Sequence, residues 1–191
     1  MSEYDLTPTP VLITAPTGRF GKSDGAAEIS LIACPEKVLL QIITSPDRNS
    51  DHQAVLEALE SFGSFELRNA GPGQWFALSD AAPDKLDLNA LETALAGTAD
   101  VVDQSSGRIR IVIEGRPVRD ALSKGIPIDL HTNEFTVGET ANTLCGHLSV
   151  HLTRTATDRY EIIVLRSYAL SLWESLIEMG LEYGIYSKHQ D

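Results

Sequence analysis

The order of predicted elements between residues 103 and 184 constrains the fold of this chain more than any other feature of its sequence. Residues 108–113 alternate arginine or valine with isoleucine, a period of two that predicts a strand with one strongly apolar face. Gly115-Arg116-Pro117 follows as a turn, and Pro117 suits the first turn of a helix because its missing N–H costs little there. We therefore expect a strand, a turn and a short helix that Gly125 ends.

Two more strands and a long helix are expected after this unit. Residues 142–153 and 160–165 predict paired strands joined by a polar turn. Ser167 is the expected N-cap of the last helix. The apolar residues of that helix recur at helical spacing and predict one buried stripe, which consists of Leu170, Trp173, Leu176, Ile177 and Leu181.

The first hundred residues alternate predicted strands with predicted helices. The glycine-rich segment 18–25 predicts a loop. Strands are expected where apolar residues cluster, at 26–33, 37–44 and 75–78. Two helices are expected between glycines that end them: one from a cap at Ser50 or Asp51 to Phe62, and one that opens at 83–87 and stops before Gly97.

These elements predict an α+β fold with two strand–helix lobes, antiparallel sheets and a long C-terminal helix. A chain of 191 residues suits one domain or two small lobes that share a core. We divide it into an N-terminal arm and loop (1–25), a first α/β lobe (26–100) and a second α/β lobe with the C-terminal helix (101–186). The arm either wraps a partner or frays at the surface.

Charge and apolarity exclude several classes of protein. The formal net charge is −12 and no run of lysine or arginine occurs, so nucleic-acid binding is not expected. No apolar window approaches the ~18 residues of a transmembrane helix, and no signal peptide is visible. The two cysteines, Cys34 and Cys145, do not suggest a disulfide framework, and we expect free thiols and a cytoplasmic protein.

Residues 16–23 nearly match a phosphate-binding P-loop, and residues 11–14 before them predict a strand. Gly21, Lys22 and Ser23 fit the motif. Pro16 stands where the first glycine belongs and has no N–H to donate. Residues 24–29 do not predict the helix whose N-terminus would hold the anion. We interpret this segment as a loop and not as a nucleotide site.

Three further residues are potential soft metal ligands: Cys145, His147 and His151. On one continuous strand they would share a face, but His147 and His151 would stand about 13 Å apart, too far for one zinc ion. The sequence therefore predicts no metal site. It assigns the histidines to polar contacts at a strand surface or an interface.

Other chemistry-bearing residues are expected to have structural roles. Asp129 and His131 suggest an acid–base pair, but a carboxylate at a turn more often tethers that turn. Trp75 and Trp173 are expected to anchor a core or an interface. We predict no catalytic, cofactor-binding or metal-binding residue in this chain.

Basic residues concentrate in one region, and this region is the candidate partner interface. Arg108 and Arg110 are expected to share the outer face of their strand, and together with Arg116 and Arg119 they could meet carboxylates of another subunit. Trp173 is added as an apolar contact. The alternative is pairing within the chain, for example with Glu114 or Asp120. The sequence leaves both possibilities open.

Four segments together resemble one protein family. They are Gly71-Pro72-Gly73-Gln74-Trp75, Gly115-Arg116-Pro117-Val118-Arg119, Ile128-Asp129-Leu130-His131 and the run from Arg166 to Trp173. As a set they resemble the gamma subunit of heterotetrameric sarcosine oxidase, which is itself similar to a folate-binding aminomethyltransferase domain. The resemblance covers residues 64–184. It departs from the family at Gly73-Gln74, where an acidic pair is usual, and this leaves the branch of the family open.

The resemblance implies an aminomethyltransferase-like fold and a non-catalytic structural subunit. It implies a complex that demethylates sarcosine to glycine and passes the one-carbon unit to tetrahydrofolate or releases it as formaldehyde. The alpha subunit would bind NAD and tetrahydrofolate, the beta subunit FAD and FMN, and the delta subunit zinc. The alternatives are a gamma-type subunit of a related N-methylglutamate dehydrogenase, or a free-standing folate-binding or aminomethyl-transferring protein.

Overall fold

Within the residues that the structure describes, the fold consists of eleven strands and four α-helices. The computed structural model describes residues 9–44 and 52–190. Its helices are α1 (His52–Glu60), α2 (Leu88–Leu95), α3 (Val118–Leu122) and α4 (Ala169–Gly180). Its strands are β1 (Gly18–Phe20), β2 (Ile29–Ala33), β3 (Val38–Ile43), β4 (Glu66–Gly71), β5 (Gln74–Ser79), β6 (Asp100–Asp103), β7 (Arg108–Glu114), β8 (Thr140–Cys145), β9 (Leu148–Ala156), β10 (Arg159–Leu165) and β11 (Ile185–His189).

The strands form two sheets. The large sheet has the order β1-β11-β2-β7-β10-β9-β8, and the small sheet has the order β4-β5-β3-β6. Neighbouring strands are antiparallel except β11 and β2, which run parallel. The antiparallel sheets and the C-terminal helix confirm the predicted α+β class.

The side chains of each strand point alternately to the two faces of its sheet, and the fold has four layers. On β7, Ile109, Ile111 and Ile113 pack with residues of α3 and α4 in one core. The outer face of the small sheet packs with α1 and α2 in a second core. The inner faces of the two sheets meet through a third, smaller cluster: Leu39, Ala70, Phe76, Leu78 and Ile163. The order of layers is therefore helices, large sheet, small sheet, helices.

Gly115 allows the sharp turn between β7 and α3. Its φ is +136°, and a Cβ at this position would lie 2.0 Å from the carbonyl oxygen of Glu28. Only glycine fits both conditions. This close approach brings the start of α3 against the chain that leads into β2.

The two sheets do not coincide with the predicted segments. β1 and β2, from the segments 1–25 and 26–100, both lie in the large sheet, and β6 crosses the boundary at residue 100 to pair with β3. These pairings join residues distant in sequence, which hydrophobic periodicity does not encode. The assignment of 1–25, 26–100 and 101–186 as domains stays a prediction.

The predicted strand over 142–153 is wrong, because this segment is a hairpin. β8 and β9 pair with each other, with Cys145 opposite Leu148. Gly146 has a φ of +60°, which lets the chain reverse there. The segment is long enough for two strands, and Gly146 near its middle is the residue that indicates a turn.

Several element ends also differ from the predictions. Val11–Thr14 is a 3₁₀ helix and not a strand. A 3₁₀ turn precedes α4, and no side chain caps it, so Ser167 is not the predicted cap. Leu170 and Leu181 are 38% and 39% exposed, so they lie outside the buried stripe of α4. The caps Ser50 and Asp51 and the arm of residues 1–8 lie outside the described residues.

Candidate functional site

Two of the five predicted interface residues, Arg108 and Arg110, lie on the inner face of β7, between the sheets. The Nε and Nη2 atoms of Arg110 donate to Oε1 and Oε2 of Glu161 on β10, at 2.8 and 3.0 Å. The guanidinium of Arg108 lies 4.9 Å from the centre of the Phe76 ring on β5. Arg110 thus pairs within the chain, but with Glu161 and not with Glu114 or Asp120.

Arg68 of β4 joins this pair from the small sheet. Its Nη1 donates to Oε1 of Glu161 at 2.7 Å, and its Nε and Nη2 donate to the carboxylate of Glu66 at 2.8 and 3.0 Å. The side chains of Arg68 and Glu161 are 3% and 6% exposed. Buried charges are costly unless they are paired, and here one carboxylate ties together two guanidinium groups from two sheets.

Glu161 stays ionised in this environment. Burial raises the pKa of its carboxyl, but the hydrogen bonds and charges of Arg110 and Arg68 outweigh burial and hold the pKa below its ordinary value. Glu161 and Arg68 were not among the predicted site residues. No local pattern could have paired them, since 93 residues separate the two.

His151 of β9 also lies in the contact between the inner faces of the two sheets, which we call the seam. It is 1% exposed, its Nε2 lies 2.9 Å from the carbonyl oxygen of Asn69 on β4, and its ring meets Phe76 edge-on at 5.1 Å between centroids. Burial lowers the pKa of His151, the hydrogen bond to Asn69 opposes this effect, and the charges of Arg68 and Arg108 add to it. The neutral ring therefore donates its Nε2 proton to the Asn69 carbonyl.

Acid is expected to loosen this seam through His151. The folded-state pKa lies below the unfolded value of about 6.5, so the unfolded chain takes up the proton first. Stability should fall as the pH drops below about 6.5, until the folded-state pKa is reached. His151→Gln should flatten this part of the stability curve, and His147→Gln at the exposed turn should not. Urea denaturation at a series of pH values measures it, and parallel curves for wild type and His151→Gln would contradict the assignment.

Of the other three predicted interface residues, one is buried, one is exposed and one is partly exposed. Trp173 on α4 is 0% exposed, and its Nε1 donates to the carbonyl oxygen of Pro16 at 2.9 Å. Arg116 is exposed, and Arg119 is partly exposed with its Nε 3.7 Å from Asp120. The structure thus does not bring the five residues together on one surface, and their role at an interface stays a prediction.

The segment that resembles a P-loop packs against the C-terminal part of the chain, at Leu181 and β11. Gly18–Phe20 is not loop but β1, paired with β11. Gly21 has a φ of +80°, and a Cβ there would lie 2.0 Å from the carbonyl oxygen of Leu181. The N–H of Lys22 donates to the same oxygen at 3.0 Å, and its Nζ pairs with Glu28 at 3.3 Å. The next element along the described chain is a strand, β2.

This geometry predicts a large loss of stability for one substitution and a small change for its neighbour. Gly21→Ala should destabilise the chain by about 1–3 kcal/mol, because it forces a strained φ beside a backbone oxygen. Lys22→Ala should change stability by less than about 1 kcal/mol, since it removes only an exposed ion pair. Thermal unfolding of both variants tests this. Magnesium-dependent ATP binding that Lys22→Ala abolishes would instead restore the nucleotide-site interpretation.

The predicted metal-ligand candidates lie in three separate places. Cys145 is buried in the core of α3 and α4, His147 is exposed at the hairpin turn, and His151 lies between the sheets. Among the described residues, no group of three or more His, Cys, Asp or Glu could hold a metal ion together. Both cysteines are free thiols. As predicted, Asp129 tethers a turn, because its Oδ1 accepts from the N–H of His131 at 2.8 Å.

Comparison with known proteins identifies the family. Residues 52–182 match the sarcosine oxidase, gamma subunit family. The chain belongs to this family. Membership confirms the predicted gamma-subunit role and makes the chain a member of a family of oxidoreductase subunits. No curated protein matches the sequence significantly.

Two solved structures have the same fold as this chain. A chain of heterotetrameric sarcosine oxidase from Corynebacterium sp. U-96, in complex with pyrrole 2-carboxylate, superposes with a TM-score of 0.72 at 23% identity, over 83% of this chain and 87% of that one. The glycine cleavage system aminomethyltransferase T from Bartonella henselae superposes with a TM-score of 0.59 at 16% identity, over 84% of this chain and 48% of that one. The predicted aminomethyltransferase-like fold is thereby confirmed. None of the helices in the described ranges combines the length and apolarity that a membrane crossing requires.

Proposed function

We propose that this chain is a non-catalytic structural gamma subunit of a heterotetrameric sarcosine oxidase. The observation that carries the proposal is the family match over residues 52–182. The geometry supports a structural role, since Arg68, Arg110 and Glu161 pair with one another between the sheets. Glu161 accepts from both Arg68 and Arg110, and these groups therefore hold the two sheets together.

In the proposed complex, an alpha, a beta and a delta subunit join this chain in the cytoplasm. These partners would hold NAD, tetrahydrofolate, FAD, FMN and zinc, and this chain would hold none of them. The complex would oxidise sarcosine to glycine and deliver the one-carbon unit to tetrahydrofolate or as formaldehyde. This chain would bind neither nucleic acid nor a membrane.

Co-expression of the other subunits with and without this chain tests the proposal. We expect a stable, flavin-containing oxidase only when the chain is present. The purified chain alone should be colourless and inactive on sarcosine. Turnover of an amine by the isolated chain, or full assembly without it, would refute the structural role. A panel of secondary amines, with N-methylglutamate included, then identifies the branch of the family.

We keep a second candidate function as an alternative, because the chain shares its fold with aminomethyltransferase T. A free-standing folate-binding or aminomethyl-transferring protein would bind tetrahydrofolate without partners. Calorimetric titration of the isolated chain with tetrahydrofolate separates the two proposals. Saturable binding favours the second function, and a flat titration favours the structural subunit.

Charge reversal at Arg116 and Arg119 is expected to weaken assembly. Of the five predicted interface residues, Arg116 is exposed and Arg119 is partly exposed, and both carry positive charge on a chain whose formal net charge is −12. Arg116→Glu with Arg119→Glu should lower the amount of co-purified partner about tenfold, because like charges across an interface repel. Arg19→Glu on β1 is the matched control. An unchanged yield for the double variant, with intact thermal stability, would place the interface elsewhere.

A further inference from the structure

Arg108 differs from Arg68 and Arg110, its neighbours in the seam, because no described carboxylate pairs with it. Arg68 and Arg110 share the carboxylate of Glu161. The Nε atom of Arg108 is buried and has no hydrogen-bond partner in the described ranges, and its guanidinium lies over the ring of Phe76. Burial lowers the pKa of Arg108, as expected for a cation that has lost hydration without gaining a carboxylate.

Lys37 brings a second unpaired cation to the same place. It lies just before β3 and is partly buried, and it forms no ion pair with any residue that the structure describes. Lys37 and Arg108 line one small pocket. Glu36 and Arg110 line it too, but each is already paired, with an arginine and with a glutamate outside the pocket. Two positive charges at this pocket therefore lack compensation, on a chain whose formal net charge is −12.

The size of the pocket selects among anions that could supply the missing charge. Its volume is about 10 Å³, and a space of ~10–15 Å³ holds one water molecule. A chloride ion is only slightly larger than water. Phosphate, sulfate and carboxylate groups each contain three or more heavy atoms and need a larger space. Guanidinium and ammonium groups carry several N–H donors and no acceptor, which suits an occupant that only accepts hydrogen bonds.

We propose that Lys37 and Arg108 form a chloride-binding site at the edge of the seam. Bound chloride compensates the charge of Arg108 and links the segment before β3, in the small sheet, to β7 in the large sheet. Only the folded chain brings the two cations together, so chloride stabilises the fold by mass action. The proposal is independent of the proposed function, because it concerns the isolated chain.

Urea denaturation of the isolated chain in mixtures of two salts tests this site. Chloride replaces gluconate, a monovalent anion too large for the pocket, at a constant total of about 150 mM, so that ionic screening stays constant. If the site is half-saturated near about 15 mM chloride, the ratio of folded to unfolded chain should rise about tenfold across the series. The rise should level off as the site fills.

Three variants locate the ion. Arg108→Gln should abolish the tenfold rise, and Lys37→Gln should weaken chloride binding severalfold. Lys85→Gln is the matched control, because the side chain of Lys85 is 75% exposed and lies outside the pocket, and it should keep the full rise. Since Lys37 lies in a loop, its variant keeps the test possible if Arg108→Gln does not fold. Broadening of the chloride NMR signal by the folded protein gives a second, direct measurement of binding.

Three outcomes would overturn the chloride site. One is equal stability of the chain in chloride and in gluconate. Another is a chloride dependence that both Arg108→Gln and Lys37→Gln retain, which would place the ion elsewhere. The third is a larger gain from acetate or phosphate than from chloride at equal ionic strength, which would assign the two cations to an oxyanion, such as a carboxylate of a partner subunit.

Discussion

Trp173→Ala is expected to lower the free energy of unfolding of this chain by about 3–5 kcal/mol. Trp173 is 0% exposed and packs in the core between the large sheet and α4. The substitution leaves a large cavity there and removes the hydrogen bond from Nε1 to Pro16. Such a loss is a large fraction of the stability of a domain. Urea denaturation measures it, and we expect little assembled oxidase in cells with this variant.

Two controls separate packing from chemistry at this position. Trp173→Phe keeps most of the apolar volume and should cost less than the alanine variant. Leu170→Ala lies on the same helix at a side chain that is 38% exposed, and it should cost under about 1.5 kcal/mol. Residual complex with Trp173→Ala should have a normal Michaelis constant per flavin. A fully assembled, stable complex with greatly reduced turnover would place Trp173 near catalysis and contradict the structural role.

Glu161→Gln is the second substitution with a large expected effect. It removes the carboxylate that pairs with both Arg68 and Arg110, and the side chain of Arg68 is only 3% exposed. Removal of one partner from a buried ion pair typically costs about 3–5 kcal/mol, because the remaining charge stays buried without compensation. Denaturation of the isolated chain should show this loss, which loosens the packing of the small sheet on the large one.

Glu66→Gln is the matched control for this prediction. Glu66 pairs with the same arginine, but its side chain is 58% exposed, so its removal should cost no more than about 1 kcal/mol. Equal effects of the two substitutions would mean that burial of the Glu161 pair contributes nothing. Amide hydrogen exchange in β4 and β10 gives a second measurement, and exchange should accelerate in the Glu161 variant.

Local patterns predicted the elements whose apolar residues have a clear period. The strand at residues 108–113 and the helix that contains Trp173 are examples, and both were found within a few residues. The missed strands β1, β4, β6 and β11 are short or polar, as in Asp100–Asp103, and contain little apolar signal. The pairing of β11 with β2 joins residues 185–189 to residues 29–33, and such contacts leave no periodicity in the sequence.

The chemistry of the seam was less predictable than the elements that form it. Alternation placed Arg108 and Arg110 on one face of β7, but this face was expected to be the outer one. The small sheet covers it, and Glu161 satisfies Arg110 there. The sequence does not show that a second sheet packs on this face, because Arg68 and Phe76 come from strands of the small sheet, β4 and β5.

Native mass spectrometry of the affinity-purified chain, from the cells that make it, tests the central claim most directly. The claim predicts that this 20.8 kDa chain emerges in one particle with three other polypeptides, and that the particle has a flavin absorbance spectrum and oxidises a secondary amine. A chain that emerges alone, or an active flavin oxidase from the same cells that lacks it, would contradict the account.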